Sequence, residues 1–418
     1  MGLSDISPKV RELSAETEAE LKEVFARIDG VAESCTMKVM SAFQEFRVSE
    51  ACFAGTTGYG YNDLGRETLD KIYARVFGAE SALVRIGFVN GTHAIATALF
   101  AICRPGTTLL SVTGIPYDTL QCTIGISGDG EGSLKSCGVD YAQVDLLSDG
   151  EPDIDGIKKA ASDANVGAVI IQRSRGYSNR RAFGISDIEK IINAVREVNS
   201  KASILVDNCY GEFTETREPT DVGADLIAGS LIKNPGGGLA PTGGYIAGRA
   251  DLVERAAIRM TAPGIGGECG STLGNNRLLF QGFFMAPHVV AQALKTTAFC
   301  AGMMERLGFK TSPSAAETRH DIIQMIEFGS ADKLLRFCEG IQHGSPVDSF
   351  VTPIPWAMPG YEDEVVMAAG AFIQGSSIEL SCDGPLREPF LGYMQGGLTY
   401  ESGKLGVMLA ANEILKAE

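Results

Sequence analysis

The sequence predicts an α/β protein, with a mainly parallel sheet flanked by helices and a smaller C-terminal α+β domain. Three observations point there. Ile204, Leu205 and Val206 form an unbroken apolar block before Asp207, the pattern of a strand covered on both faces. Short apolar segments of this kind alternate with amphipathic helical stretches after Gly78. Beyond Phe309 the composition shifts to short segments closed by one more helix. The division expected is an N-terminal helical segment over 1–60, a large α/β domain over 61–310 and a small α+β domain over 311–418.

Taken in order, residues from Ser7 to Phe46 read as helical, with a charged amphipathic stretch from Leu13 to Ile28. A turn-rich segment, Gly55 to Arg66, follows. Leu69, Ile72, Tyr73, Val76 and Phe77 then recur at helical spacing until Gly78 stops the helix. Strands are expected at Leu109–Val112, Val166–Gln172, Ile204–Asp207, Leu226–Leu231 and Gly244–Ala247, and helices at Gly91–Cys103, Ile185–Val198 and Asp251–Arg259. Thr261–Gly270 is a glycine-rich connector, and a long helical region ends near Phe309. Short strands and helices are expected over Pro346–Pro355, Glu364–Ile373 and Ser376–Ser381, with a closing helix from Ser402.

Bulk properties narrow the function. A chain of 418 residues, 44% hydrophobic and 21% charged, buries a large ordered core. Its net charge of −16 argues against nucleic acid and anionic membranes as partners, since both select basic surfaces. Ten cysteines are scattered without CxxC pairs, several inside apolar segments, which fits reduced thiols in a cytoplasmic enzyme. The first residues lack the basic and apolar regions of a secretory leader, and no apolar run reaches membrane-span length. Four dispersed histidines show no metal-ligand spacing, so no metal is expected.

The chemistry gathers at the expected strand ends. Asp207 sits where one buried strand runs out, and Lys233 follows 26 residues later at a comparable edge. An acid and a lysine presented together suit pyridoxal 5′-phosphate. The lysine forms the Schiff base, and the carboxylate keeps the pyridine nitrogen protonated so that the ring accepts electrons. Two unrelated polar residues at strand ends are the competing reading. A P-loop is excluded, because Lys233 precedes the glycines of Asn234–Gly238 instead of following them. Gly91 and Thr92 open a helix and offer amides and a hydroxyl to an anion, although ordinary helix capping uses the same residues. Ser230, three residues before Lys233, lies within reach of a phosphate held beside the lysine. Tyr117, past a strand and next to Pro116, is placed either to stack on a flat ring or to pack in its loop.

These segments resemble the fold-type I pyridoxal-phosphate enzymes of the Cys/Met-metabolism branch, most closely the group described as methionine γ-lyase-like or aluminium resistance proteins. The likeness is carried by Gly58-Tyr-Gly-Tyr-Asn-Asp-Leu-Gly-Arg66, Gly91-Thr-His-Ala-Ile95, Gln172-Arg-Ser-Arg-Gly-Tyr-Ser178, Val206-Asp-Asn-Cys-Tyr-Gly-Glu212, Ser230-Leu-Ile-Lys-Asn-Pro-Gly-Gly-Gly238 and Gln395-Gly-Gly-Leu-Thr399. The resemblance covers nearly the whole chain. It implies the pyridoxal-phosphate transferase fold, with a seven-stranded sheet. It further implies that Lys233 is the Schiff-base lysine and proton shuttle, that Asp207 pairs with the pyridinium, and that Tyr117 stacks on the ring. Gly91, Thr92 and Ser230 would hold the phosphate. In related lyases a tyrosine and an arginine of the neighbouring subunit complete that site. Tyr59, Tyr61 and Arg66 are the candidates here, although their spacing departs from the lyase motif, and Ile232 stands where many lyases carry a hydroxyl.

An amino-acid carboxylate calls for a bidentate arginine. Arg387, in a proline-framed loop, suits that role as readily as it suits a plain surface position; Arg173 and Arg175 are weaker candidates, and Tyr210 and Glu212 are potential supporting residues. The resemblance implies a lyase that breaks a carbon–sulfur bond in methionine, cystathionine or cysteine by β- or γ-elimination. Transamination, replacement or aldol cleavage would use the same lysine and acid, and a non-catalytic cofactor-binding stress-response protein is the alternative from another class. The expected assembly is a homodimer or homotetramer with shared active sites.

Overall fold

The computed structural model describes residues 6–128, 130–357 and 363–416. The expectation of no secretory leader falls partly on residues 1–5, outside this range. Two compact units are present: Met1–Ser34 with Met285–Glu418, and Cys35–Phe284. The divisions thus fall inside two long helices, whereas the sequence suggested breaks at 60 and 310. A continuous helical pattern carries no mark of where one core ends and the next begins.

The N-terminal helices are α1 (Pro8–Glu20) and α2 (Lys22–Glu45), the first capped by Ser7, whose hydroxyl accepts from the Val10 amide. Helix α3 (Leu64–Val76) is capped by Asp63 and buries Leu69, Ile72, Tyr73 and Val76, the stripe expected from sequence. Then follow β1 (Ser81–Arg85), α4 (Gly91–Ile102), β2 (Thr108–Ser111), α5 (Asp118–Ile124), β3 (Asp140–Gln143), α6 (Ile154–Ala161), β4 (Val166–Gln172), α7 (Ile185–Val198), β5 (Ser203–Asp207), β6 (Leu226–Ser230), β7 (Gly244–Gly248), α8 (Ala250–Met260) and α9 (Asn276–Arg306). All five strands and three helices anticipated here are present, with ends displaced by a residue or two. Strands β1 and β3 were not anticipated.

The large unit holds a seven-stranded sheet in the order β1-β7-β6-β5-β4-β2-β3. Strands β2 to β6 pair parallel where they meet, and β7 runs antiparallel to both β1 and β6. Ile204, Leu205 and Val206 of β5 are fully buried, as are Leu226, Ile227 and Ala228 of β6, so both strands are covered on both faces. The helix α4 packs Ala94, Ile95, Ala98 and Leu99 into the same apolar cluster as Leu205, Ala228 and Ile246.

The other unit contains β8 (Lys310–Ser312), β9 (Ile323–Glu327), α10 (Ala331–His343), β10 (Val365–Ala368), β11 (Ser381–Pro385), β12 (Leu391–Gln395) and α11 (Tyr400–Leu415). Its sheet is antiparallel, in the order β10-β11-β12-β9-β8. The closing helix and the α+β character match expectation. Pro346–Pro355, by contrast, contributes no strand, and most of Ser376–Ser381 precedes β11 instead of forming it.

Candidate active site

Parallel strands present their carboxyl ends at one edge of a sheet, and the loops leaving them converge there. Asp207 is the last residue of β5, paired across the ladder with Gln172 of β4 and Ala228 of β6. Its Oδ1 accepts from the Cys209 amide at 3.1 Å. Burial raises the Asp207 pKa, against the opposing pull of the Cys209 hydrogen bonds, Lys233 and Arg180.

Ser230 ends the neighbouring strand β6, and Lys233 lies three residues on, in a turn leading into Asn234–Gly236. The Lys233 Nζ stands 3.6 Å from the centroid of the Tyr210 ring. Desolvation pushes the Lys233 pKa down, but Tyr210, Cys209 and Asp207 together outweigh it and leave the pKa raised.

Gly91 and Thr92 open α4, behind the Asn90 cap, whose side chain accepts from the His93 amide at 2.9 Å. A Cβ on Gly91 would stand 3.1 Å from the Ser230 Cβ and 3.5 Å from the Cys209 Sγ, so the helix start and the end of β6 approach closely. The Thr92 hydroxyl lies 3.2 Å from those of both Tyr117 and Thr119. Tyr117 precedes α5, and its amide donates to Gln172 Oε1 at 3.1 Å. Burial, reinforced by Asp207 and Cys209, raises its phenol pKa well above the usual value. The phenol therefore stays protonated.

The structure thus gathers Asp207, Lys233, Ser230, Gly91, Thr92 and Tyr117 around one sheet edge. The remaining sequence candidates lie in other settings. Tyr59 and Tyr61 are exposed and stack on each other, with centroids 5.7 Å apart. Arg66 is buried and donates to the carbonyls of Gly60, Glu268 and Gly270, so it fastens two loops of its own chain. Arg173 is fully buried and bonds Asn208, Thr214 and Glu215, with Glu218 3.6 Å away. Arg387, in the other unit, is exposed and pairs with Asp363 at 3.3 Å.

Sequence reasoning passed over Cys209, Gln172 and Arg180. The first directly follows the acid's neighbour and was within reach of inspection. Arg180 had no local signal: it arrives because the chain after β4 folds back, with the Phe183 amide bonding the Arg173 carbonyl at 3.0 Å. Its guanidinium donates to the carbonyls of Gln172 and Ser174.

These residues fit pyridoxal phosphate. The Ser230 Oγ is buried and has no hydrogen-bond partner among the described residues, although it faces a helix start where anions bind. Asp207 and Lys233 supply the acid and the amine that the ring requires. The fold is that of the fold-type I pyridoxal-phosphate enzymes. The same fold is seen in the pyridoxal-5′-phosphate-dependent protein YhfS of Escherichia coli, with a TM-score of 0.63 at 17% identity over 94% of this chain and 97% of that one.

The chain belongs to the methionine γ-lyase family, whose profile matches residues 10–415. It is similar to the carbon–sulfur lyase involved in aluminum resistance from Clostridium novyi NT, with 53% identity, a TM-score of 0.94, and coverage of 97% of this chain and 96% of that one. It is also 48% identical over 410 residues to the uncharacterized protein YnbB of Bacillus subtilis, covering 98% of this chain and 97% of the relative. Among the described residues no helix is long and apolar enough to cross a membrane, and no cluster of side chains suits a metal ion.

Proposed function

We propose that the protein is a pyridoxal-phosphate-dependent carbon–sulfur lyase that cleaves a sulfur amino acid of the methionine, cystathionine or cysteine type by β- or γ-elimination. The observation that carries this reading is the convergence of Asp207, Lys233 and the unpartnered Ser230 hydroxyl beside the start of α4. Membership of the family, and likeness to the Clostridium novyi protein, support sulfur as the leaving atom.

When bound, the cofactor supplies an electron sink for charge developing at the substrate α-carbon. Lys233 Nζ removes the α-proton and later returns one. Asp207 would keep the ring nitrogen protonated, and the Gly91 and Thr92 amides with the Thr92 and Ser230 hydroxyls would hold the phosphate. Tyr117 would cover the ring, and its phenol, kept protonated by burial, would donate to the departing sulfur. Arg387 is the proposed anchor of the substrate carboxylate. Tyr59, Tyr61 or Arg66 would complete the phosphate site of a neighbouring copy, in a cytoplasmic homodimer or homotetramer with shared sites; of the three, Tyr59 and Tyr61 are exposed, whereas the Arg66 guanidinium is engaged within its own chain.

The test is incubation of the cofactor-loaded protein with L-methionine, L-cystathionine and L-cysteine, followed by assay of 2-oxo acid and released thiol or sulfide. Elimination yields both in equal amounts, and Lys233→Ala lowers the rate by about 100-fold or more. Amino transfer to a 2-oxo acid without thiol release would refute the assignment.

A further inference from the structure

We propose that Tyr210 is a positioning residue whose ring forms a platform for the Lys233 ammonium, holding the amine in one place whenever it is not bonded to the cofactor. The inference rests on the reading of Lys233 as the cofactor-binding lysine. At 3.6 Å from the ring centroid, Nζ lies well inside the range of about 6 Å over which the negative face of an aromatic ring attracts a cation.

The backbone shows that the ring is placed by design of the turn. Tyr210 is almost fully buried and adopts φ +68°, a left-handed conformation unfavourable for a bulky side chain. Several bonds impose it. The Asn208 amide bonds the Ala228 carbonyl at 3.0 Å, and the Gly211 amide bonds the Asn208 carbonyl at 2.9 Å. A side chain at position 211 would collide with buried Arg173, which explains the glycine there. Asn234 Nδ2, one residue beyond Lys233, donates to the Glu212 carbonyl at 2.9 Å. The loop carrying the ring and the turn carrying the amine are therefore fastened to each other directly.

The titratable groups acting on Lys233 are Tyr210, Cys209 and Asp207, with Arg180 acting in turn on Asp207. On the proposed reading Asp207 is committed to the ring nitrogen, whereas the face of the Tyr210 ring stands over the amine. The negative face of an aromatic ring attracts the ammonium over a range that includes this distance. It returns the released amine to the same position through each turnover.

The experiment compares the wild type with Tyr210→Phe, Tyr210→Leu and Tyr210→Met. Cofactor-free protein is reductively methylated with formaldehyde and borohydride across a pH series, and modification of Lys233 is read by peptide mass spectrometry. Losing the ring destabilises the ammonium, so the midpoint for Lys233 falls by about one pH unit in the Leu and Met variants, and by less than half of that in Phe. The Met variant fills similar space and decides the matter if Leu fails to fold. Midpoints in folded Leu or Met variants that coincide with the wild type would overturn the platform, as would a Phe shift as large as theirs. Borohydride trapping of added pyridoxal phosphate is run alongside. Failure of the wild type to trap it on Lys233 sinks the underlying cofactor reading, and unshifted midpoints with normal trapping sink the platform alone.

Discussion

Glu212 offers a stringent test of the electrostatics behind the site. Its side chain is fully buried; Oε1 accepts from the Tyr245 hydroxyl at 2.8 Å, and Oε2 has no partner among the described residues. Burial, with Glu218 adding to it, pushes its pKa from 4.5 to about 8, against the Tyr245 hydrogen bond and the Arg173 charge. Between those two values the folded protein holds a proton that the unfolded chain releases. This raised pKa contributes stability that is fully present below 4.5 and is lost as pH rises through about 8. The slope is about 1.4 kcal/mol per pH unit inside the window, so roughly 2 kcal/mol disappears between pH 6 and pH 8. Glu212→Gln keeps an oxygen for Tyr245 and removes the titration. Urea unfolding of both proteins from pH 5 to 9, without cofactor, should show the wild type losing that amount relative to the variant. Glu218, also raised, contributes to both curves. Parallel curves for the two proteins would refute the assignment of a protonated Glu212 at neutral pH.

Three further outcomes follow from the same geometry. Ser230→Ala removes a hydroxyl with no partner among the described residues, so the fold is unaffected while the Kd for pyridoxal phosphate, titrated by visible absorption, rises about tenfold. Arg173→Ala strips the cation from buried Glu218 and half-buried Glu215, and unfolding measurements should record a loss of about 3–5 kcal/mol; unchanged stability with a raised KM would instead make it a substrate contact. Arg387→Ala breaks only an exposed ion pair and should change stability by less than about 0.5 kcal/mol. Its KM should rise about tenfold or more if the arginine anchors the substrate carboxylate, and an unchanged KM removes it from the site.

The central strands were legible because an apolar run on both faces is a simple signal, and Asp207 and Lys233 stand out as the polar residues ending such runs. Edge strand β3 was not, since Asp140-Tyr-Ala-Gln143 has exposed ends and lacks an apolar run. Strand β1 was hidden inside a longer apolar stretch, Ala82 to Val89, whose periodicity does not separate strand from loop. Arg173 and Arg66 stand among the candidate ligand contacts because a charged residue near a glycine-rich turn has no visible partner in sequence. Their partners within the chain, Glu215 and Glu218 for one and backbone carbonyls for the other, depend on how distant segments fold back. Burial of a charge is a property of tertiary structure, and local pattern does not report it.

The antiparallel strand β7 has a consequence for how the protein meets its cofactor. Ser230 pairs with Gly244, and the Leu231 amide bonds the Gly243 carbonyl at 3.0 Å. The segment bearing Lys233 is therefore a loop pinched shut at its base by two strands in the middle of the sheet. Opening that base means parting two interior strands, so the amides there should exchange with solvent only on global unfolding. The base of the loop that carries Lys233 is held in register by the sheet itself. On the proposed reading, loading of pyridoxal phosphate would resemble docking into a finished socket rather than folding around a template, and its energetic cost would fall on the ligand and a few side chains instead of the backbone.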